Sequence, residues 1–250
     1  MTGTRLFSRA VLRISPLDES EDARSFLQRL VTNDVTGTLP VYAALLSAQG
    51  KHMFDFLIWA DPSASSGRAG DLLLDCEAAL ADDLAKRLSL YRLRRKLGIA
   101  RDDSLGVFWS AAGDEGTPDP RLPALGQRWI APVSTDDASA DAAWLAHRLS
   151  RGVPEGRSEM GDLLWLETNA ADLGGVSFTK GCYIGQENTA RMNWRQKVGR
   201  RLLVVPLEQS DLARQVAAYP ELGLAVDHRR VADIPPDLAP AWMNLHAAKE

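Results

Sequence analysis

Short apolar runs of strand character, interrupted at irregular intervals by helical patterns, constrain this 250-residue chain more than any single motif does. Residues 10–14 alternate apolar and polar until Ser15-Pro16 stops them, and 41–47 and 52–59 flank Gln49-Gly50-Lys51, a hairpin signal. Residues 71–76, 97–101, 106–110 and 201–206 read as further strands. Asp18 can cap a helix running to about Val31, and residues 78–90 have helical spacing with Leu80, Ala81, Leu84 and Leu88 facing inward. A second helix is expected over 137–149, an apolar stripe over 160–167 and a short helix over 186–193. Strands and helices without regular βαβ alternation point to an α+β architecture with antiparallel sheet.

The length allows two modest domains, or one large one with appendages. Apolar and charged fractions of 45% and 25% are those of an ordinary globular protein, and a net charge of −4 argues against a general nucleic-acid binder. Cys76 and Cys182 offer neither a disulfide framework nor metal-site spacing, so a reducing compartment is the simpler expectation. No apolar run approaches the roughly 20 residues that span a bilayer. Arg5, Arg9 and Arg13 precede the first acid, Asp18, which gives the N-terminus a faint presequence character. The strand over 10–14 is the preferred reading, and the chain is expected to be mature and cytosolic.

Residues 174–187, Gly-Gly-Val-Ser-Phe-Thr-Lys-Gly-Cys-Tyr-Ile-Gly-Gln-Glu, set four glycines around Cys182. Glycines at this density let the backbone take positive φ or approach a ligand closely. A thiol beside a cation such as Lys180 can become a reactive thiolate. A tight turn with a buried, inert cysteine accounts for the same residues.

Further motifs occur in order upstream: Leu30-Val31-Thr32-Asn33-Asp34-Val35, Ala48-Gln49-Gly50-Lys51, Phe54-Asp55-Phe56, Lys86 to Arg94 and Pro154-Glu155-Gly156. Together with the run that ends Lys180-Gly181-Cys182-Tyr183-Ile184-Gly185-Gln186-Glu187, they resemble the YgfZ-type folate-binding family over roughly residues 8–205. That family is related to the glycine-cleavage T-protein, and its mitochondrial members assist iron–sulfur cluster maturation. The resemblance implies a three-lobed α+β molecule whose central channel accepts tetrahydrofolate, in cells polyglutamylated. Residues 1–200 would form the folate-binding region, as two lobes of roughly 1–105 with parts of 160–200 and of 106–160. Residues 201–250 would form a shortened C-terminal β lobe and tail, since after Pro206 only 223–226 reads clearly as a strand.

The implied function is that of a folate-binding accessory protein for assembly or repair of [4Fe–4S] proteins, linked in bacteria to tRNA thiolation. A folate-dependent aminomethyl or one-carbon transferase and a non-catalytic scaffold for cluster-assembly partners are the alternatives. The implied site comprises Cys182 as the working thiol, with Lys180, Tyr183 and Gln186 around it. Glu167 would hold the pterin edge, Asp55 a folate amine and Arg191 the glutamyl carboxylates, while the Asn33–Asp34 turn lines the channel. A single cysteine cannot hold a cluster, so no resident metal is expected. Expected partners are folate and cluster-assembly factors or clients, without membrane or nucleic acid, for a monomer in the cytoplasm, or in the mitochondrial matrix of a eukaryote. Two basic groups, Arg92, Arg94, Arg95 and Lys96, and Arg195, Lys197, Arg200 and Arg201, could attract a polyglutamate tail or RNA, or simply face water. Arg191-Met192-Asn193-Trp194-Arg195-Gln196 lacks the histidine that relatives often carry there.

Overall fold

A computed structural model describes residues 4–61, 70–194 and 198–245. The chain opens with β1 (Arg5–Leu6) and β2 (Arg9–Pro16), then α1 (Ala23–Gln28), β3 (Val41–Leu46), β4 (His52–Ala60), β5 (Leu72–Glu77), α2 (Ala81–Arg92) and β6 (Leu97–Arg101). β2 to β6 form a five-stranded antiparallel sheet in the order β3-β4-β5-β2-β6. The expected hairpin is present, and the strand expected over 97–101 coincides with β6.

Alternation along these strands separates two buried faces. Leu12, Ile14, Phe56, Ile58, Leu72 and Leu74 pack beneath α1 and α2, with Leu84 and Leu88 supplied by α2. On the other face Val11, Tyr42, Leu57, Trp59 and Leu73 join a core that reaches every sheet of the molecule. A sheet covered on both faces must bury any charged side chain it carries on its inner face, and that requirement shapes the site described below.

The second sheet is built from β7 (Leu105–Ser110), β8 (Thr117–Pro118) and β9 (Gln127–Pro132), with β1 at its edge in the order β1-β7-β9-β8. It is followed by α3 (Asp141–Ser150), α4 (Arg157–Met160) and α5 (Gln186–Trp194). The third sheet contains β10 (Arg200–Pro206), β11 (Gln215–Tyr219) and β12 (Leu224–Arg230), in the order β10-β12-β11.

Several expectations change in detail. The first helix is capped by Asp22, which accepts from the Arg24 and Ser25 amides at 2.9 and 3.2 Å, and not by Asp18. Asp18 instead accepts from Ser20 and pairs with Lys96. The helix of 137–149 begins four residues late because Asp137 accepts from the Ser134 amide and pairs with Arg5. The stripe over 160–167 is no continuous helix: Gly161, at φ 51°, ends α4, and a single 3₁₀ turn follows at Trp165–Thr168. The C-terminal sheet is larger than the sequence suggested. β11 is added, and β12 continues through Asp227, whose buried carboxylate is satisfied by Ser210, the Asp211 amide and Arg229. The tail folds back on this sheet, with Ile234 and Met243 against Leu203, Val205 and Ala225.

Candidate functional site

The glycine-rich run is pinned where three segments meet. Its start is stitched to the 31–33 turn: the Thr32 hydroxyl donates to the Gly175 carbonyl at 2.7 Å, and Asn33 Nδ2 donates to the Gly174 and Tyr42 carbonyls at 2.7 and 2.8 Å. Gly175 has no room for a side chain, because a Cβ would lie 2.9 Å from both the Trp165 and Tyr42 rings. At the far end Gly185, at φ +80°, abuts the hairpin turn, and a Cβ there would meet the Ser47 carbonyl oxygen at 2.5 Å.

Between these anchors the side chains diverge. The Lys180 ammonium is buried and donates to the Val31 and Asn33 carbonyls, 5.1 Å from the Tyr183 ring centroid. Burial lowers its pKa to about 8, partly opposed by the nearby Asp34 carboxylate. Tyr183 is buried in the central core. Gln186 opens α5 half-buried, its amide reaching the Tyr183 carbonyl. Cys182 alone of the motif's reactive groups is exposed, and its thiol makes no hydrogen bond among the described residues. Lys180 is thus committed to backbone carbonyls rather than to the thiol two residues away. Cys76, the other cysteine, is buried in β5 and its thiol is pushed up to about 12 by desolvation.

Beneath the run lies a polar cluster inside the sheet. Asp55 leaves β4 opposite Phe54 and Phe56 and reaches the covered inner face, not bulk water, where it is 4% exposed. His52 Nε2 lies 3.1 Å from its carboxylate, and Tyr42 Oη donates to it at 3.3 Å. The His52 ring stacks on Trp165 at 5.8 Å, and Trp165 is held by a bond from its indole to the Gly175 carbonyl. Burial pushes the Asp55 carboxyl up, but His52 and Arg9 outweigh it and hold it below its ordinary value. The cavity that Asp55 and His52 share with Cys76 and Glu77 has a volume of about 10 Å³. One water fills such a space.

A buried ion network continues from this cluster across all three sheets. Arg9 on β2 and Arg128 on β9 each reach Asp75 on β5 at 2.6 Å. Arg121 grips Asp119 with two nitrogens and Glu155 with a third, 5.4 Å from the Tyr42 ring. Arg148 on α3 grips Glu159, which also accepts from Tyr219 on β11. Four arginines face four carboxylates, so the network is neutral, and Glu155 is held well below its ordinary pKa because Arg121, Arg9, Arg128 and Arg148 together overcome its burial. None of Tyr42, His52, Arg9 or Arg121 was expected from the sequence to belong to the site, Arg9 being read only as part of a basic N-terminus. Only Glu155 had a signal, its place in Pro154-Glu155-Gly156.

The remaining expected site residues lie apart from this interior. Glu167 turns toward the third sheet, with its carboxylate 3.0 Å from His228 Nε2, a close contact that is poorly aligned as a hydrogen bond. Arg191 is exposed on α5 and pairs with Glu187 one turn earlier at 2.8 Å. Asp34 closes its own turn by accepting from the Thr36 amide and hydroxyl. In the second basic group Arg201 is buried against Asp172, while Arg195 and Lys197 lie outside the described residues. Among the described residues no group of three or more His, Cys, Asp or Glu side chains could hold a metal, and no helix is long and apolar enough to cross a membrane.

No family model matches the chain. Among solved structures it is similar to the glycine cleavage system aminomethyltransferase T from Bartonella henselae, with a TM-score of 0.63 over 92% of this chain and 79% of that one. At 11% identity that likeness establishes the fold. Among curated proteins it is similar to the human iron–sulfur cluster assembly factor IBA57, mitochondrial, at 31% identity over 95% of this chain and 76% of the relative. The mouse protein of that name is 32% identical over 82% of this chain and 66% of its own length. A Neurospora crassa homolog is 29% identical over 86% of this chain, which spans only 56% of that relative. The motif residues, the antiparallel three-sheet fold and the extent of the human match together show that the chain belongs to the family of IBA57 iron–sulfur cluster assembly factors.

Proposed function

We propose that this protein acts in iron–sulfur cluster assembly by presenting Cys182 as one thiolate ligand to a cluster whose other ligands come from a partner protein. The observation that carries this reading is the exposure of Cys182 on a loop held rigid at Gly175, Lys180 and Gly185. A rigid loop presents the thiol in one geometry, and shared ligation follows because clusters of this kind need several thiolates. Incubation with a cluster-loaded carrier protein should shield Cys182 from alkylation by iodoacetamide, whereas equal labelling with loaded and cluster-free carrier would refute shared ligation.

Of the residues expected to hold tetrahydrofolate, Asp55 is buried beside His52, while Glu167 and Arg191 lie against His228 and Glu187. Folate binding is therefore proposed for a form in which the Trp165–His52 stack parts. Saturable quenching of Trp165 fluorescence by tetrahydrofolate would support it, and a flat titration at millimolar ligand would end it. The protein is proposed to work in the cytoplasm, or in the mitochondrial matrix if its source is eukaryotic, since its relatives are named as mitochondrial.

A further inference from the structure

We infer that the corner made by the C-terminal end of α2 and the turn after it is a docking surface for an acidic segment of a partner protein that carries leucine-type anchors. The turn is the first observation. Arg95 donates its amide to the Arg92 carbonyl at 2.9 Å, and Leu93 between them has φ 51° and ψ −116°. This is the first central position of a type II′ turn, where glycine is the unstrained residue. A leucine here stores backbone strain, and its side chain is thrown outward, 85% exposed. Local folding gains nothing from that choice.

The surroundings supply the second observation. Leu90, one turn back on α2, is 66% exposed, as is Leu17, whose amide is bonded to the Lys96 carbonyl at the same corner. Leu93 shares a shallow depression with Arg94, Arg95 and Glu21. Five cations crowd this end: Arg87, Arg92, Arg94, Arg95 and Lys96. Glu21 pairs with Arg95 and Asp18 with Lys96, while Arg94 is exposed and has no partner among the described residues. Cations at a helix C-terminus are explained by the helix dipole. Exposed leucines and a strained turn are not. Apolar anchors ringed by arginine are complementary to a segment that alternates leucine-type side chains with carboxylates, and that charge complementarity selects the occupant over a basic or neutral one.

The test is fluorescence anisotropy with a labelled twelve-residue peptide that alternates leucine and glutamate. Its controls are the same peptide with lysine for glutamate, and a twelve-nucleotide oligouridine. The acidic peptide should bind saturably, with affinity reduced about tenfold by Arg94→Glu and about fivefold by Leu93→Gly, while Leu212→Ala, at another exposed leucine, leaves it unchanged. Because glycine relieves the turn, Leu93→Gly should keep or raise the melting temperature while it weakens binding. That combination separates a docking role from a structural one. The inference is overturned by absent binding of the acidic peptide, by binding indifferent to both variants, by a preference for oligouridine or the basic peptide, or by a lowered melting temperature of Leu93→Gly.

Discussion

Replacing Glu155 by glutamine keeps the volume of the side chain and removes one negative charge from the buried network. Four arginines would then face three carboxylates where the folded protein has four of each. The loss falls on more than one partner. Arg121 donates to the Glu155 carboxylate at 2.5 Å and Trp144 at 3.0 Å. Arg9, Arg128 and Arg148 lie within 3.8 to 3.9 Å of it, and Arg128 Nη2 and Arg148 Nε have no hydrogen-bond partner among the described residues. Removing one member of a buried charge pair costs about 3–5 kcal/mol. Glutamine can still accept one of the hydrogen bonds, so about 3 kcal/mol is expected, which is a fall of roughly 6–12 °C in melting temperature for a chain of this size. The pH dependence supplies a second signature. The Glu155 carboxyl is held well below its ordinary 4.5 in the folded state, so its contribution is complete above that pH and is lost as pH falls through the folded pKa. Calorimetry of wild type and Glu155→Gln should therefore show a constant gap from pH 7 to about 4.5 that narrows at lower pH. A gap below 1 kcal/mol at pH 7, or one that widens on acidification, would refute the claim that this network joins the three sheets.

Further tests address the loop and its thiols. Gly185→Ala should cost about 2–4 kcal/mol in urea titrations, since its Cβ would meet the Ser47 carbonyl oxygen at 2.5 Å and its φ is +80°. Gly181→Ala, with nothing within 4 Å of the new atom, should change stability by less than about 0.5 kcal/mol. Lys180→Met should cost about 1–3 kcal/mol at pH 7 by leaving the Val31 and Asn33 carbonyls unpaired. The unfolded chain holds the Lys180 proton up to about pH 10.5 and the folded chain only to about 8, so wild type should gain stability relative to Lys180→Met across that interval. Thiol labelling of the native protein should modify Cys182 within minutes, and Cys76 only once urea unfolds the chain.

Local rules made much of the fold legible. The 41–59 hairpin and β6 follow from alternation and turn chemistry. β11 and the second half of β12 were hidden because Ala217-Ala218 and His228-Arg229-Arg230 carry no apolar alternation, and two of the three partners that satisfy Asp227 in its strand lie 16 and 17 residues away. The site shows the same division. Alternation placed Asp55 opposite Phe54 and Phe56, but could not reveal that both faces of the sheet are covered. Arg9 and Asp75, 66 residues apart, meet only when the sheet has formed, so their pairing left no local trace. Lys180 and Cys182 looked like a cation beside a thiol, yet Lys180 is turned inward to the Val31 and Asn33 carbonyls while Cys182 is exposed.

The central claim is that the exposed thiol of Cys182 does the work of cluster assembly on a loop whose other motif residues are structural. The direct measurement is the activity of several [4Fe–4S] enzymes in cells deleted for this protein and supplied with wild type, Cys182→Ser or Cys76→Ser at equal abundance. Cys182→Ser should fail to restore those activities, while Cys76→Ser should restore them. Full restoration by Cys182→Ser would contradict the claim.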